Sequence, residues 1–252
     1  MKHTKALTII TLPLLWSIYF LFELFSGRVH NSTVIVGNLV LIVAFFIVGY
    51  LIYWLSTKHK KGLSAKAFFI TPLILLVLDQ GSKIIIKFFY FNSYGSLFNN
   101  FISFNPIINS DGSWLNARFN TNISFLFLNI LNFISLIVFL ELYRYFRLKG
   151  HKTFWEDCCF IFIFIGAFCS LIDKLFYGGS LDFIGIGELF IADLKDIYIN
   201  LGVLFFIISI YSQGYLSLKD DDTSFKEDLK SVLKFIIFVK DDFKKLFKIK
   251  DV

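Results

Sequence analysis

Residues 67–90 read AFFITPLILLVLDQGSKIIIKFFY, an apolar run broken by Asp79, Gln80, Ser82, Lys83 and Lys87. A helix crossing the ~30 Å hydrocarbon core of a bilayer needs about 20 mostly apolar residues, and this stretch is long enough. Further stretches of the same kind occupy roughly 6–26, 34–55, 123–143, 154–177 and 194–216. Hydrophobic residues make up 56% of the 252 and Phe alone contributes 34, more apolar side chain than a soluble domain of this size needs. The first stretch is too long for a signal peptide and ends in Glu23 and Phe25 rather than a small-residue cleavage site. It is predicted to be a retained span. The expected fold class is an all-α polytopic membrane protein, with a four-helix core, two N-terminal spans and a small extracytoplasmic β/loop element.

Lys and Arg set the orientation. One side holds Lys2 and Lys5, then Lys58, Lys60, Lys61 and Lys66, then Arg144, Arg147, Lys149 and Lys152, and finally the Lys-rich tail. The alternate connections hold only Arg28, Arg118 and Lys174, with Lys195 at the mouth of the sixth span. The positive-inside rule then predicts cytoplasmic termini. The net charge of +6 reads as orientation and contact with anionic membrane lipids, so no nucleic-acid partner is expected.

Three zones follow. Residues 1–63 form a two-helix extension, 64–218 a four-span core, and 219–252 a charged tail. In the tail, Phe225, Leu229, Val232, Ile236, Phe243, Leu246 and Phe247 recur near helical spacing between lysines, which predicts an amphipathic helix on the inner membrane surface. The connection at 91–122 is rich in Asn, Ser and Gly, and Phe101-Ile102-Ser103-Phe104 reads as a brief strand. The connection at 178–192 lies on the same side, so the two can roof one cleft.

Cys158, Cys159 and Cys169 all fall in the fifth span without metal-ligand spacing, and no metal or other cofactor is expected. His3, His30, His59 and His151 lie outside the spans, which removes the base that a serine peptidase would need. Charges inside spans are costly and mark function. Asp79 and Lys83 are four apart on one helix face, and with residue 66 at the inner boundary Asp79 stands about 20 Å up. Gly166 and Ser170 make a close-packing face, followed by Asp173 and Lys174. Asp182 is flanked by apolar residues, and Asp193, Asp196 and Asn200 share a face of the sixth span. Five aspartates thus gather at one membrane surface. Two carboxyls sharing a proton can activate water, one as base and one as acid.

The series resembles lipoprotein signal peptidase, the signal peptidase II family of bacterial membranes. Asp79-Gln80-Gly81-Ser82-Lys83 is similar to the family's Asp-Gln-x-Thr/Ser-Lys, and Gly166 through Lys174 to its Gly-x-x-x-Asn-x-x-Asp-Arg. Asp182-Phe183 stands at the family's offset from Asp173, and Asp193 through Asp196 is similar to its Asn-x-Ala-Asp. The resemblance covers about 66–217. It departs where Ser170 and Asp193 replace Asn, Lys174 replaces Arg, and Lys195 replaces Ala. Asn109, ahead of Ser110-Asp111-Gly112-Ser113-Trp114, is the candidate for the Asn of the first outer connection.

The resemblance implies a four-helix peptidase core and cleavage of prolipoprotein signal peptides before a diacylglyceryl-Cys, in the bacterial cytoplasmic membrane with the site on its extracytoplasmic side. It places a catalytic dyad on Asp182 and Asp196. Supporting roles go to Asp79, Lys83, Asp173, Lys174, Asn109, Ser170 and Asp193. Membrane lipids and globomycin-type inhibitors are implied partners. Other readings are a catalytically silent lipoprotein-binding relative and a proton- or ion-coupled transporter, although no inverted repeat supports the latter. Gly185-Ile186-Gly187-Glu188 comes near another aspartyl peptidase signature, Gly-x-Gly-Asp, but carries Glu.

Overall fold

The computed structural model describes residues 2–110, 116, 119, 121, 123–187, 189–213 and 225–246. In chain order the elements are α1 (Lys2–Phe25), α2 (Ser32–Lys58), α3 (Ala65–Ile85, continued by a π-helical turn, Ile86–Tyr90), β1 (Gly95–Leu97) and β2 (Ile102–Asn109). They are followed by α4 (Phe125–Leu148), α5 (Phe154–Phe176), β3 (Ser180–Ile186), β4 (Phe190–Ala192), α6 (Leu194–Ser212) and α7 (Phe225–Leu246). Among the described residues six helices are long and apolar enough to span a membrane: Thr4–Phe25, Ser32–Lys58, Ala65–Tyr90, Phe125–Leu148, Phe154–Phe176 and Leu194–Ser212. They fall within a few residues of the six predicted stretches, as expected when length and hydropathy decide a span. The chain is a polytopic helical membrane protein with a small sheet.

Short polar residues start the helices. Asn31, Ser64, Ser124 and Thr153 each accept an amide of the first turn, satisfying donors that would otherwise lack partners. The tightest helix pair is α5 with α6, and glycines make it so. A Cβ on Gly166 would stand 2.6 Å from Ile199 Cγ1, and one on Gly202 would strike Ile163. The small-residue face read at Gly166 is therefore a real contact. α1 and α2 also approach closely at Gly49, whose added Cβ would lie 2.8 Å from the Thr8 carbonyl oxygen. Trp16 Nε1 donates to Asn38 Oδ1 across the same pair at 3.1 Å. The pair leans on the core through Leu12 and Ile52, which pack with Phe154, Trp155, Leu204, Phe205 and Ile208.

The two connections at the far end combine into one antiparallel sheet, β1-β2-β3-β4. The strand expected near Phe101–Phe104 extends to Asn109, and the connection at 178–192 supplies β3 and β4. Gly185 lets this happen, because any Cβ there would strike the Ser103 hydroxyl of β2. The register shifts between Phe104 and Ile107, at Asn105-Pro106, where proline offers no amide to the ladder. Beyond the shift, Ile107 pairs with Asp182 and Asn109 with Ser180. Ile86, Leu181 and Phe183 form the apolar floor beneath this part of the sheet.

Within the tail, Phe225–Leu246 is helical, as its spacing predicts. Arg144 of α4 ion-pairs with Asp242 of α7, Tyr145 packs on Phe235 and Phe238, and Val232, Leu233, Ile236 and Ile237 remain exposed. The side chains of Phe225, Leu229 and Leu246, together with Arg118, Phe247, Glu188 and Asp111 through Trp114, lie outside the described residues.

Candidate active site

Lys83 is fully buried and sits at the meeting point of three carboxylates. Its Nζ lies 2.9 Å from Asp79 Oδ2, 2.6 Å from Asp173 Oδ2 and 2.6 Å from Asp193 Oδ2, and all three acids are buried with it. These residues come from α3, the last turn of α5 and the N-cap of α6, so one ammonium ties together the outer ends of three helices. Gln80 Nε2 adds bonds of 2.9 Å to Asp79 and to Asp173. The second oxygen of Asp79 accepts the Lys195 amide at 3.0 Å, an orphan donor in the first turn of α6. The i,i+4 pair read from sequence is thus one edge of a larger network.

Asp193 and Asp196 face each other in a capping box. The Asp196 amide donates to Asp193 Oδ1 and the Asp193 amide donates to Asp196 Oδ2, both at 3.2 Å. Their three-residue spacing has a local, helix-starting cause as well as any chemical one. Lys195, between them, turns inward. Its Nζ lies 2.5 Å from Asp193 Oδ2, 3.3 Å from Asp173 Oδ2 and 3.7 Å from Asp182 Oδ1, and it donates to Ser180 Oγ.

Asp182 reaches the same place from β3. Ser180 donates to its Oδ1, and Asn109 Nδ2 donates to its Oδ2 at 3.0 Å. The register of β2 on β3 is what delivers Asn109, from the opposite connection, to this acid. Carboxylate oxygens of Asp182, Asp193 and Asp196 lie within 4.8 Å of one another. At that separation one water can hydrogen-bond two carboxyl groups, each bond being about 2.8 Å.

Asp182 and Asp196 differ in exposure. Asp182 is only 3% exposed, because Ser180, Asn109 and Lys195 close over it, while Asp196 is partly exposed. Burial pushes the Asp182 carboxyl above the usual carboxylate range, against the pull of Lys195 and the bonds from Ser180 and Asn109. Burial acts upward on Asp193 too, but Lys195 and Lys83 together outweigh it and hold Asp193 below that range. Two neighbouring acids are driven apart, the condition for one to carry a proton beside an ionised partner.

The outlying expected residues are placed differently. Lys174 Nζ donates to Ser170 Oγ at 2.6 Å, one turn apart on α5. Asn200 donates to the Asp196 carbonyl at 2.8 Å and is exposed. Lys195, Ser180 and Gln80 belong to the cluster, although reading the sequence did not single them out as site residues. Gln80 lies inside the first motif and Ser180 one alternation before Asp182 on a strand, so period-2 reading would have put it on the same face.

The pattern described as signal peptidase (SPase) II matches residues 71–212, more than half of the chain. A lipoprotein signal peptidase of Microcystis aeruginosa (strain NIES-843 / IAM M-2473) is 28% identical over 149 residues, covering 57% of this chain and 91% of the relative. A solved bacterial membrane enzyme, determined by the in meso method at 2.3 Å, shares the fold with a TM-score of 0.52 at 20% identity, over 66% of this chain and 99% of its own. All the clustered aspartates fall within the matched residues. The chain belongs to the signal peptidase II family.

Proposed function

We propose that this protein is an aspartyl endopeptidase that removes signal peptides from prolipoproteins just before a diacylglyceryl-modified Cys. Asp182 and Asp196 are the dyad. The observation that carries this reading is the approach of their carboxylates within 4.8 Å, inside the matched residues, with one acid buried and the other partly open. A water held between them loses its proton to one carboxylate as it attacks the scissile carbonyl. The other carboxyl then protonates the leaving amine. Asn109 and Ser180 orient Asp182, Lys83 holds Asp79, Asp173 and Asp193 as a rigid base, and Asp193 sets the first turn that presents Asp196. The Lys174–Ser170 bond braces the end of α5.

The substrate's apolar signal helix enters sideways between spans while its diacylglyceryl group stays in the bilayer. The lysine distribution supports an orientation with both termini and residues 56–66 and 144–152 in the cytoplasm, and the sheet and dyad outside. Residues 64–218 make the peptidase core, 1–63 an added helix pair, and 219–252 a membrane-surface tail.

The test uses the purified protein and a diacylglyceryl precursor. Asp182→Asn and Asp196→Asn keep size but cannot ionise, so each is expected to abolish cleavage with insertion intact. The double variant is expected to be no worse than either single one, since the pair acts as a unit. Chelators should leave activity unchanged, and a globomycin-type cyclic peptide should block it. Retained cleavage in either variant removes that residue from the dyad. Tight precursor binding without cleavage by the unmutated protein would point instead to a silent relative.

A further inference from the structure

The two acids of the dyad stand at opposite ends of one short segment: β3 carries Asp182, and β4 runs directly into the first turn of α6 with Asp196. β4 is an edge strand of three residues, Phe190–Ala192, and among the described residues it pairs only with β3, through Ile184, Gly185 and Ile186. β3 is held by β2, but β4 hangs on the sheet's edge by three residue pairs alone, so contacts beyond the sheet bear on where it sits.

What holds it is the N-terminal helix pair. Arg28, in the turn between α1 and α2, donates from NH2 to the Leu189 carbonyl at 2.8 Å. Its NH1 donates to Glu23 Oε2 at 3.1 Å, and its own amide donates to the Glu23 carbonyl at 3.1 Å. Glu23 is fully buried at the end of a membrane span, a costly place for an acid. Its cation is the same group that grips the hairpin, so the ion pair and the hairpin tip are positioned together. Leu189 is buried with Phe20 and Val29, and the Phe190 ring packs 5.7 Å from Tyr19 and 6.1 Å from Trp16. Gly187, at φ +52°, donates its amide to the Phe101 carbonyl at 2.7 Å, and any Cβ there would stand 3.0 Å from Val34 of α2.

We propose that the helix pair α1–α2 is a positioning element for the peptidase site, acting through Glu23 and Arg28 on the β3–β4 hairpin that spaces Asp182 from Asp196. Glu23 and Arg28 both lie outside residues 71–212, so this hold is an addition to the matched core. The proposal rests on the dyad reading for its consequence in catalysis, while the hold itself is independent of that reading.

The test compares the full-length protein in lipid nanodiscs with Glu23→Gln/Arg28→Gln, which removes the ion pair without leaving a buried charge, and with Arg28→Lys. The double variant is expected to lower kcat on a diacylglyceryl precursor about 10- to 100-fold, the scale of an ångström-sized misplacement, with KM unchanged. Amide exchange should quicken at Gly187, Leu189 and β4 and stay the same in α5 and the rest of α6. Arg28→Lys keeps the charge and a donor, and is expected to recover part of both effects. Unchanged kcat, a change in KM alone, or exchange that quickens evenly through all the helices would overturn the proposal. If the unmutated protein does not cleave the precursor, the dyad reading fails. Hairpin exchange then decides the hold by itself: local quickening supports it, and unchanged exchange overturns it.

Discussion

Helix α5 buries one aspartate in its first turn and another in its last, and the two keep different company. Asp157 accepts the Leu63 amide and the Tyr143 hydroxyl, each at 2.7 Å, with Arg147 standing 3.7 Å away. Gly62, at φ +86°, makes the close approach possible, since a Cβ there would lie 2.6 Å from Asp157 Oδ2. This is one acid answered mostly by neutral donors, clipping the α2–α3 turn to α5. Asp173, at the other end, shares Lys83 with Asp79 and Asp193 and shares Lys195 with Asp193 and Asp182, while Asp196 stands close by. Five carboxyls there face two buried ammonium groups. Burial is common to both ends, and what separates architecture from chemistry is the ratio of acids to the donors that answer them.

The contrast would break most visibly at Lys83. Lys83→Met strips three buried carboxylates of their common cation, and losing one side of a buried pair costs about 3–5 kcal/mol. A collapse in yield and in thermal stability is expected, together with loss of cleavage. A stable, active Lys83→Met protein would mean that the acidic end is held by packing alone.

Asp157→Asn probes the other end. It removes the charge beside Arg147 and, with the amide oxygen kept on the Leu63 N–H, puts an NH2 group where the Tyr143 hydroxyl donated, a loss of about 1–3 kcal/mol. Thermal unfolding should begin earlier while cleavage, measured at a temperature where the variant is folded, stays within about twofold on the ordinary scale of remote substitutions. Abolished cleavage in a folded variant would erase the distinction between the two ends.

The finest distinction concerns Lys195, whose charge opposes burial at Asp182 and supports the ionised form of Asp193. In Lys195→Ala burial acts on Asp182 less opposed, so its proton is kept to higher pH. The limb of the pH–rate profile governed by Asp182 should move to the alkaline side. Stability moves in a matching sense. Asp193 is held below its ordinary value of about 3.9, so its contribution is present above that pH and lost as pH falls through the lowered value. Without Lys195 this loss begins at less acidic pH, and the acid-unfolding midpoint should rise. An unmoved profile and midpoint would leave Lys195 a bystander.

Much of this was legible in the residues. The spans follow from local hydropathy, which no tertiary contact needs to modify, and their bounds fall within a few residues of the helices. Asp79, Lys83, Asp173, Asp182, Asp193 and Asp196 stood out because charge within or beside an apolar run has few explanations. Asn109 was reached only through a motif, and its bond to Asp182 depends on a strand register shifted at Pro106. Lys195 read as a replaced alanine because nothing local says that its ammonium folds inward between two acids. Ser180 and Gln80 were hidden for the same reason: their partners come from other elements. The capping role shared by Asp193 and Asp196 was legible in their spacing and was passed over in favour of chemistry.

The pairing of β2 with β3 also sets a timetable. Asn109 leaves the ribosome well before Asp182 and Asp196, and at about 5–20 residues per second the gap is on the order of ten seconds. A chain halted just before Ser180 already owns Asp79, Lys83 and Asp173, yet it has no β3 to pair with β2 and no Asp193 to complete the grip of Lys83. The cluster therefore assembles only once the last span has been threaded into the bilayer, when α6 brings in its first turn. Until that moment the early acids of α3 and α5 lack the partners that complete the cluster.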